Sequence, residues 1–455
     1  MSPQPTRATL LKIRQAIGIL AITTIPAIAG AQTLPYTPLP EDCFPQLREI
    51  LSGVDETSPR IQQESENISQ NEAYLKDARS NRGLKVSGYG RLQGMWENRF
   101  NSDVESDNKY NFGPYAGINA GVPIFHWGEI DARIAQAKSR IGMSKSQKKQ
   151  RISEVRQEIR RNYVEYELSA LAAKIARDNI DYARKRHMAM EGLVERGMLS
   201  PQNVADADIY EQERDEDLAY AENQAQESAS MIGQLSGKNL PELAATDIPD
   251  IPMLSADELD KLGKAATDAY IPPIEALDNE LAAEQAGARE LKSRNRPKID
   301  AVVSTNMDYT DEYRRDGRYE PVPRLYSWAG VQANWTIYDN GSMDAQGLAC
   351  LARQRAIRAR IRDAQLNQTR EVSNIVRDAQ LNKSRYETRL RKLDLLKKTV
   401  SMMESQLERS SVSTNDLFQR KQELERTRLD LYRASAAYML DVAQLRELAS
   451  FGPKK

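Results

Sequence analysis

The sequence predicts a mainly helical chain of long antiparallel hairpins joined to four membrane β-strands, arranged as two internal repeats. Three observations predict it. From Tyr115 to Arg133 an alternating strand runs through an aromatic turn, Phe125-His126-Trp127-Gly128, into a helix that no proline interrupts for about 68 residues. The pattern returns from Trp328 to Gln346, with Ile337-Tyr338-Asp339-Asn340-Gly341 at the turn. A single offset of 213, the distance from Gly128 to Gly341, then aligns nearly everything without a gap: Pro59 with Pro272, Ser80 with Ser293, Asp131 with Asp344, Ser200 with Ser413.

Composition bounds the partners. The 455 residues carry a net charge of −1, so charge balance points to neither nucleic acid nor an anionic surface. Arg7, Lys12 and Arg14 precede an apolar run, Ala16 to Ile28, and small residues suited to cleavage, so residues 1–31 read as a signal peptide. Past it no apolar run reaches the roughly 18 residues of a membrane helix, so a membrane passage must be made by strands. Two cysteines, Cys43 and Cys350, are too few for a disulfide framework, and whether they pair is open.

In chain order, residues 32–58 read as an irregular equatorial segment. The first repeat spans 59–237: a helix from Pro59 to Arg82, strands 84–96 and 115–124, a long helix 129–196, a tip, and a helix 201–236. Residues 238–271, with Pro241, Pro249 and Pro252, read as an irregular linker. The second repeat spans 272–450, with strands 298–309 and 328–337, helix 342–409, a tip, and helix 414–449; residues 451–455 are a tail. Ala116, Ile118, Ala120, Val122 and Ile124 share one strand face and Gly117, Asn119 and Gly121 the other. Trp96, Trp127, Trp328 and Trp335 sit in or beside the strands, the distribution of an outer-membrane aromatic girdle. Polar segments 97–111 and 310–324 read as external loops. In the helices Ile130, Ile134, Ala137 and Ile141, then Val155, Ile159, Tyr163, Tyr166, Ala170, Ala173 and Ile180, form a coiled-coil stripe, and about 68 residues make a helix of roughly 100 Å. Each long helix needs two short ones laid end to end as partners.

The sequence offers little for catalysis. His126 at the turn and His187 on the helix have no second ligand at metal spacing, and neither a nucleophile elbow nor a phosphate loop is present, so no enzyme, metal or cofactor is expected. The tips are more informative. Gly197-Met198-Leu199-Ser200-Pro201 supplies a left-handed cap, an N-cap serine and a first-turn proline. Its counterpart, Ser410-Ser411-Val412-Ser413, ends in an N-cap serine, with Asp416 either a capping carboxylate or a member of a carboxylate ring where tips converge.

The duplicated unit, the Phe125–Gly128 turn feeding an Ala/Arg/Gln-rich helix, and the paired tips resemble the TolC family of outer-membrane efflux and secretion channels over nearly the whole mature chain. The resemblance implies a homotrimer with one 12-stranded barrel in the outer membrane of a Gram-negative bacterium, continued by a helical tunnel through the periplasm. Four strands alone cannot close a barrel, since the smallest known have about eight. It implies a passive exit duct served by a periplasmic adaptor protein and an inner-membrane pump of RND or ABC type, for efflux or type I secretion. By the same resemblance Phe125, Gly128, Tyr338 and Gly341 form the strand-to-helix turns. Gly197, Met198, Leu199, Ser200, Ser410, Ser411, Val412 and Ser413 dock the adaptor, and Asp416 is the first carboxylate of the gate constriction. Gln419 departs from the second carboxylate, and Asn203 stands where the family has an aspartate. Leu407 and Val412 replace a gating tyrosine and arginine, so the general gate is implied and its particular lock is not. The rival reading is a periplasmic coiled-coil adaptor or scaffold without a pore.

Overall fold

The computed structural model describes residues 39–101, 104–238, 252–313, 319–407 and 413–453, without side chains at 95–112, 309–321 and 414. The expected signal peptide, residues 32–38, residues 239–251 of the linker, Ser410, Ser411, Val412 and the last two residues lie outside it.

The described chain begins with α1 (Pro40–Cys43), α2 (Pro45–Thr57) and α3 (Pro59–Ser80), each opened by a proline whose missing N–H a helix start does not need. The segment read as irregular over 32–58 is therefore largely helical. Leu47, Ile50, Leu51 and Val54 recur at helical spacing and are buried, a stripe too short to stand out beside helices five times longer.

After α3 come β1 (Lys85–Asn101) and β2 (Val104–Phe125), then α4 (Glu129–Glu195) and α5 (Pro201–Ser236). Next is α6 (Ala256–Thr267), inside the stretch read as a linker. Ser255 accepts from the Glu258 N–H, and the Glu258 carboxylate accepts from the Ser255 N–H at 2.8 Å, a reciprocal cap that starts this helix. Leu259, Leu262 and Ala266 then form its buried stripe. The second half continues with α7 (Pro272–Arg294), β3 (Lys298–Tyr313), β4 (Tyr319–Asn334), α8 (Ser342–Leu407) and α9 (Thr414–Ser450). As expected, α3 and α5 pack along α4, and α7 and α9 along α8; α7 also packs on α4. No described helix is long and apolar enough to cross a membrane.

The four strands make one antiparallel sheet in the order β1-β2-β3-β4, with β1 and β4 at its edges. They are longer than expected. The segments read as loops over 97–111 and 310–324 mostly continue the hairpins, with Glu97 opposite Lys109 and Glu312 opposite Glu320. Pairing across the hairpin satisfies the backbone there without an apolar pattern to announce it. At the other end β4 stops at Asn334, short of the expected 337, because its partner β3 begins opposite it at Lys298. Trp335 to Ile337 have no strand beside them in the single chain.

Among the described residues two larger cores hold the helices together, and a smaller one, Ala78 with Ile134 and Ala137, joins α3 to α4. Leu47, Ile50 and Val54 of α2 meet Val155, Ile159 and Tyr163 of α4, Ile232 and Leu235 of α5, and Met439 of α9. On α8, Val372, Ile375 and Ala379 meet Leu259 and Leu262 of α6 and Tyr438, Val442 and Leu445 of α9. The two larger cores lie partway along the long helices, where the short amphipathic helices add a layer. Beneath the first, Arg160 of α4, only 7% exposed, bridges Glu41 of α1 at 2.7 Å and Glu447 of α9 at 2.5 Å. Cys43 and Cys350 are both free thiols.

Candidate functional site

The sheet separates two chemistries. Register aligns Val86, Ala120, Val303 and Ala329 in one row across all four strands, and the neighbouring rows on that face bring in Ile118, Thr305, Val122, Ala301 and Val331. Ile118, Val303, Leu325 and Val331 are exposed on it. The opposite face holds the row Ser87, Asn119, Ser304 and Trp328. There Ser304 donates to Asn119 Oδ1 at 2.5 Å, the Asn306 amide donates to Ser304 Oγ at 2.9 Å, and the Tyr89 hydroxyl donates to Asn306 Oδ1 at 3.1 Å. Apart from a Thr305–Ser327 hydroxyl pair at 3.0 Å on the first face, one mainly apolar and one hydrogen-bonded face is the alternation of a strand between lipid and water. Trp328 does not fit the expected girdle: it lies opposite Ser304 on the polar face, because side chains alternate and Ala329 and Val331 occupy the apolar one. Trp96 pairs with Tyr110 in the β1–β2 ladder.

At the strand-to-helix turns, two consecutive residues in each are left-handed: Trp127 (φ 52°) and Gly128 (φ 81°), then Asn340 (φ 56°) and Gly341 (φ 79°). A Cβ at either glycine would meet nothing within 4 Å, so the glycines serve backbone conformation rather than close packing. The two turns are secured differently. At the second, Asp339 accepts from the N–H groups of Gly341 and Met343 at 3.1 and 2.8 Å, and the Tyr338 hydroxyl donates to Asn340 Oδ1 at 3.0 Å. At the first, His126 Nε2 lies 2.7 Å from Asp300 Oδ1, while the Trp127 indole donates to the Pro297 carbonyl at 2.8 Å. Phe125 meets Trp127 edge-on at 4.7 Å and Arg296 lies 4.9 Å over its ring. Trp335 reaches the same α7–β3 connection, donating to the Asn295 carbonyl at 3.1 Å. Just inside, the buried Glu129 carboxylate contacts Lys298 at 2.7 Å and Arg133 at 3.1 Å, and Arg133 continues to Glu290 at 2.9 Å.

At the first tip Gly197 is left-handed (φ 71°), its N–H bonds to the Val194 carbonyl at 2.9 Å, and the Met198 N–H bonds to the Leu193 carbonyl at 2.9 Å. These bonds satisfy the last carbonyls of α4. Met198 is exposed and Leu199 half-buried. Ser200 is the extended residue before Pro201, and the Asn203 amide donates back to its hydroxyl at 3.2 Å, so Asn203 is engaged in the cap. At the second tip Ser413 Oγ accepts from the Asn415 N–H at 3.2 Å; Asp416 and Gln419 follow, exposed and one turn apart on α9. Asp206, also exposed, is the counterpart of Gln419 under the offset of 213.

The sequence reading missed the junction between hairpins near the tips. Tyr182 of α4 stacks on Phe418 of α9, and the Gln422 amide of α9 donates to Asn179 Oδ1 at 3.2 Å and to the Tyr210 hydroxyl at 3.1 Å. Arg186 and Arg214 flank the Tyr210 ring at 5.4 and 5.1 Å. His187 Nδ1 lies 2.7 Å from Glu211 Oε2; that hydrogen bond raises the imidazole pKa and lowers that of the carboxyl. No group of three or more metal-ligating side chains occurs among the described residues.

Residues 51–238, which contain the whole expected first repeat, match the sequence profile of the outer membrane efflux protein family. No curated protein matches the chain in sequence. Among solved structures, the Campylobacter jejuni CmeC outer membrane channel superposes with a TM-score of 0.71 at 10% identity, over 94% of this chain and 91% of that one. The Vibrio cholerae outer membrane protein VceC gives 0.66 at 13% identity, over 92% and 100%. The open state of the Neisseria gonorrhoeae MtrE outer membrane channel gives 0.63 at 14% identity, over 89% of each chain. At such identities the likeness is one of fold. Residues 51–238 thus match the outer membrane efflux protein profile, and about nine tenths of the chain shares the fold of these outer membrane channels.

Proposed function

We propose that the chain is the outer-membrane exit duct of a tripartite efflux or secretion system, passively conducting what an inner-membrane pump and a periplasmic adaptor deliver. The observation that carries this is the sheet: four strands with one apolar face, open at both edges, passing through two left-handed turns into helices of 67 and 66 residues. Three chains would give about twelve strands, enough to close a barrel that four cannot. Even β3, with 16 residues, is roughly 50 Å long, which at a tilt near 45° covers the roughly 30 Å hydrocarbon core.

Within this reading the apolar face meets lipid, and Trp127 and Trp335 mark the inner boundary. The helices form a periplasmic tunnel whose tips, Gly197 to Ser200 and Ser410 to Ser413, meet the adaptor. Asp416, at the third position of α9, lies at the constriction with Gln419, and a narrow ring of carboxylates would favour cations and hinder anions. The left-handed turns and the matching strand-turn-helix order at an offset of 213 support a duplicated unit. A pore-free periplasmic scaffold would share the hairpins, but would have no use for an exposed apolar sheet face.

The test is the state of the purified full-length protein. The duct reading expects a trimer that needs detergent and withstands mild SDS without heating. A monomer that stays soluble without detergent would refute it.

A further inference from the structure

We infer that the free edges of β4 and β1 join between adjacent copies of this chain in the register that β2 and β3 use within it, so that Val331 lies opposite Leu92 of the adjacent copy. The inference rests on the duct reading and adds the residue-level seam between copies.

The internal offset supplies the register. Within the chain it already carries one hairpin onto the other: Lys85 opposite Gly121 becomes Lys298 opposite Asn334, and both pairs are present. Moving a β2 residue up by 213 reaches β4, and moving its β3 partner down by 213 reaches β1. The pair Ile118–Thr305 becomes Val331–Leu92, Ala120–Val303 becomes Ala333–Gly90, and Val122–Ala301 becomes Trp335–Gly88. Every one of these pairs keeps apolar face against apolar face, as closure with lipid outside demands. In the single chain Val331 is 69% and Leu92 66% exposed. The Trp335 ring would cover a strand position that has no side chain.

The early end of β4 fits the same seam. Residues 122–125 of β2 pair only with β3, and they keep that strand going to Phe125. Their counterparts, residues 335–338, lack a neighbour and fall outside β4. β1 of an adjacent copy would supply it.

Helix chemistry agrees at positions that the sheet does not influence. Within the chain α4 packs on α7 with a small residue against a larger one: Gly142 against Asn279, whose Oδ1 would lie 2.6 Å from an added Cβ, and Gly287 against Gln136, at 3.1 Å. Between copies the offset turns these into α8 on α3. Gly142–Asn279 becomes Arg355–Glu66, two exposed residues of opposite charge. Gln136–Gly287 becomes Ala349–Tyr74: the large and small partners change sides, and Tyr74 is 54% exposed in the single chain. Near the tips, Tyr182 on Phe418 becomes Leu395, also exposed, on Ala205. Complementary size and charge at three such positions are what an interface between copies requires.

The test is disulfide trapping in the full-length chain with Cys43→Ser and Cys350→Ala. Oxidation of the Leu92→Cys, Val331→Cys variant should give a covalent trimer on non-reducing gels, while Gly90→Cys with Val331→Cys, shifted by two residues, should not. Independently, Arg355→Glu should lower the temperature at which the detergent trimer dissociates by several degrees, and adding Glu66→Arg should restore it. A chain that is trimeric by native mass but is trapped only by the shifted pair, or by neither, overturns the register and leaves the duct reading standing. A trimer that the charge swap fails to restore overturns the helical half of the seam. A chain that is monomeric in detergent overturns the duct reading and this inference together.

Discussion

Trp127 and Trp335, 208 positions apart, hold the same short connection from two sides: one indole donates to the Pro297 carbonyl at 2.8 Å and the other to the Asn295 carbonyl at 3.1 Å. Both sit just beyond a strand end, so the link between α7 and β3 is fixed where sheet gives way to helix. Replacing either with phenylalanine removes one hydrogen bond and keeps most of the ring, at about 1 kcal/mol or less. Trp127→Ala also loses the edge contact with Phe125 and the Arg296 contact, and should cost about 2–4 kcal/mol. Thermal dissociation of the detergent-solubilised protein should rank the variants in that order.

Gly128 and Gly341 are left-handed with open space where a Cβ would go, so substitution there is penalised by conformation. Gly128→Ala should destabilise by about 1 kcal/mol, Gly128→Asn by less, and Gly128→Val by more, since β-branching disfavours this region most. Helical circular dichroism followed through a thermal melt checks the order. Equal loss for all three would mean that an unseen neighbour, not backbone strain, governs the position.

Much of this architecture is legible in the sequence because its signals are long or repeated. Sixty-odd residues with an apolar stripe and no proline can only be one helix, and glycine, serine and proline at 197, 200 and 201 punctuate the tip. The hidden parts are short or non-local. α2 and α6 carry three or four apolar positions each inside proline-containing stretches. The outer halves of the strands are held by cross-strand pairing of polar residues, which leaves no periodic trace. Trp328 was misplaced although alternation with Ala329 and Val331 puts it on the other face. The Tyr182–Phe418 and Gln422–Tyr210 contacts join residues more than 200 positions apart and appear only once the hairpins are side by side.

Arg160 ties α1, α4 and α9 through buried contacts with Glu41 and Glu447. Arg160→Met would leave two carboxylates partly buried without their cation, a change of about 3–5 kcal/mol. Adding Glu41→Gln and Glu447→Gln should recover much of it. Chemical denaturation monitored at the helices measures both, and a triple variant no better than Arg160→Met would contradict this assignment.

Asp441 of α9 has its pKa pushed up to about 6 by burial, with the Asn382 hydrogen bond opposing and Asp378 adding to the rise. A carboxyl whose folded pKa lies above its unfolded value of about 3.9 gives stability that is complete below that unfolded value and is lost as pH rises through the folded one. Stability should therefore fall between about pH 4 and pH 6 by roughly 1–2 kcal/mol after allowance for partial solvent screening. Asp441→Asn should remove that slope and raise the melting temperature at pH 7.5 while changing it little at pH 4. An unchanged slope in the variant would assign the pH dependence elsewhere.

A conducting duct narrowed near Asp416 should show itself in single-channel recording in a planar lipid bilayer. The purified trimer should give discrete, cation-preferring conductance steps, blocked by multivalent cations added on the tip side, with larger steps and weaker block in Asp416→Ala. A folded trimer that inserts and gives no steps would contradict the duct, and unchanged steps and block in the variant would remove Asp416 from the gate.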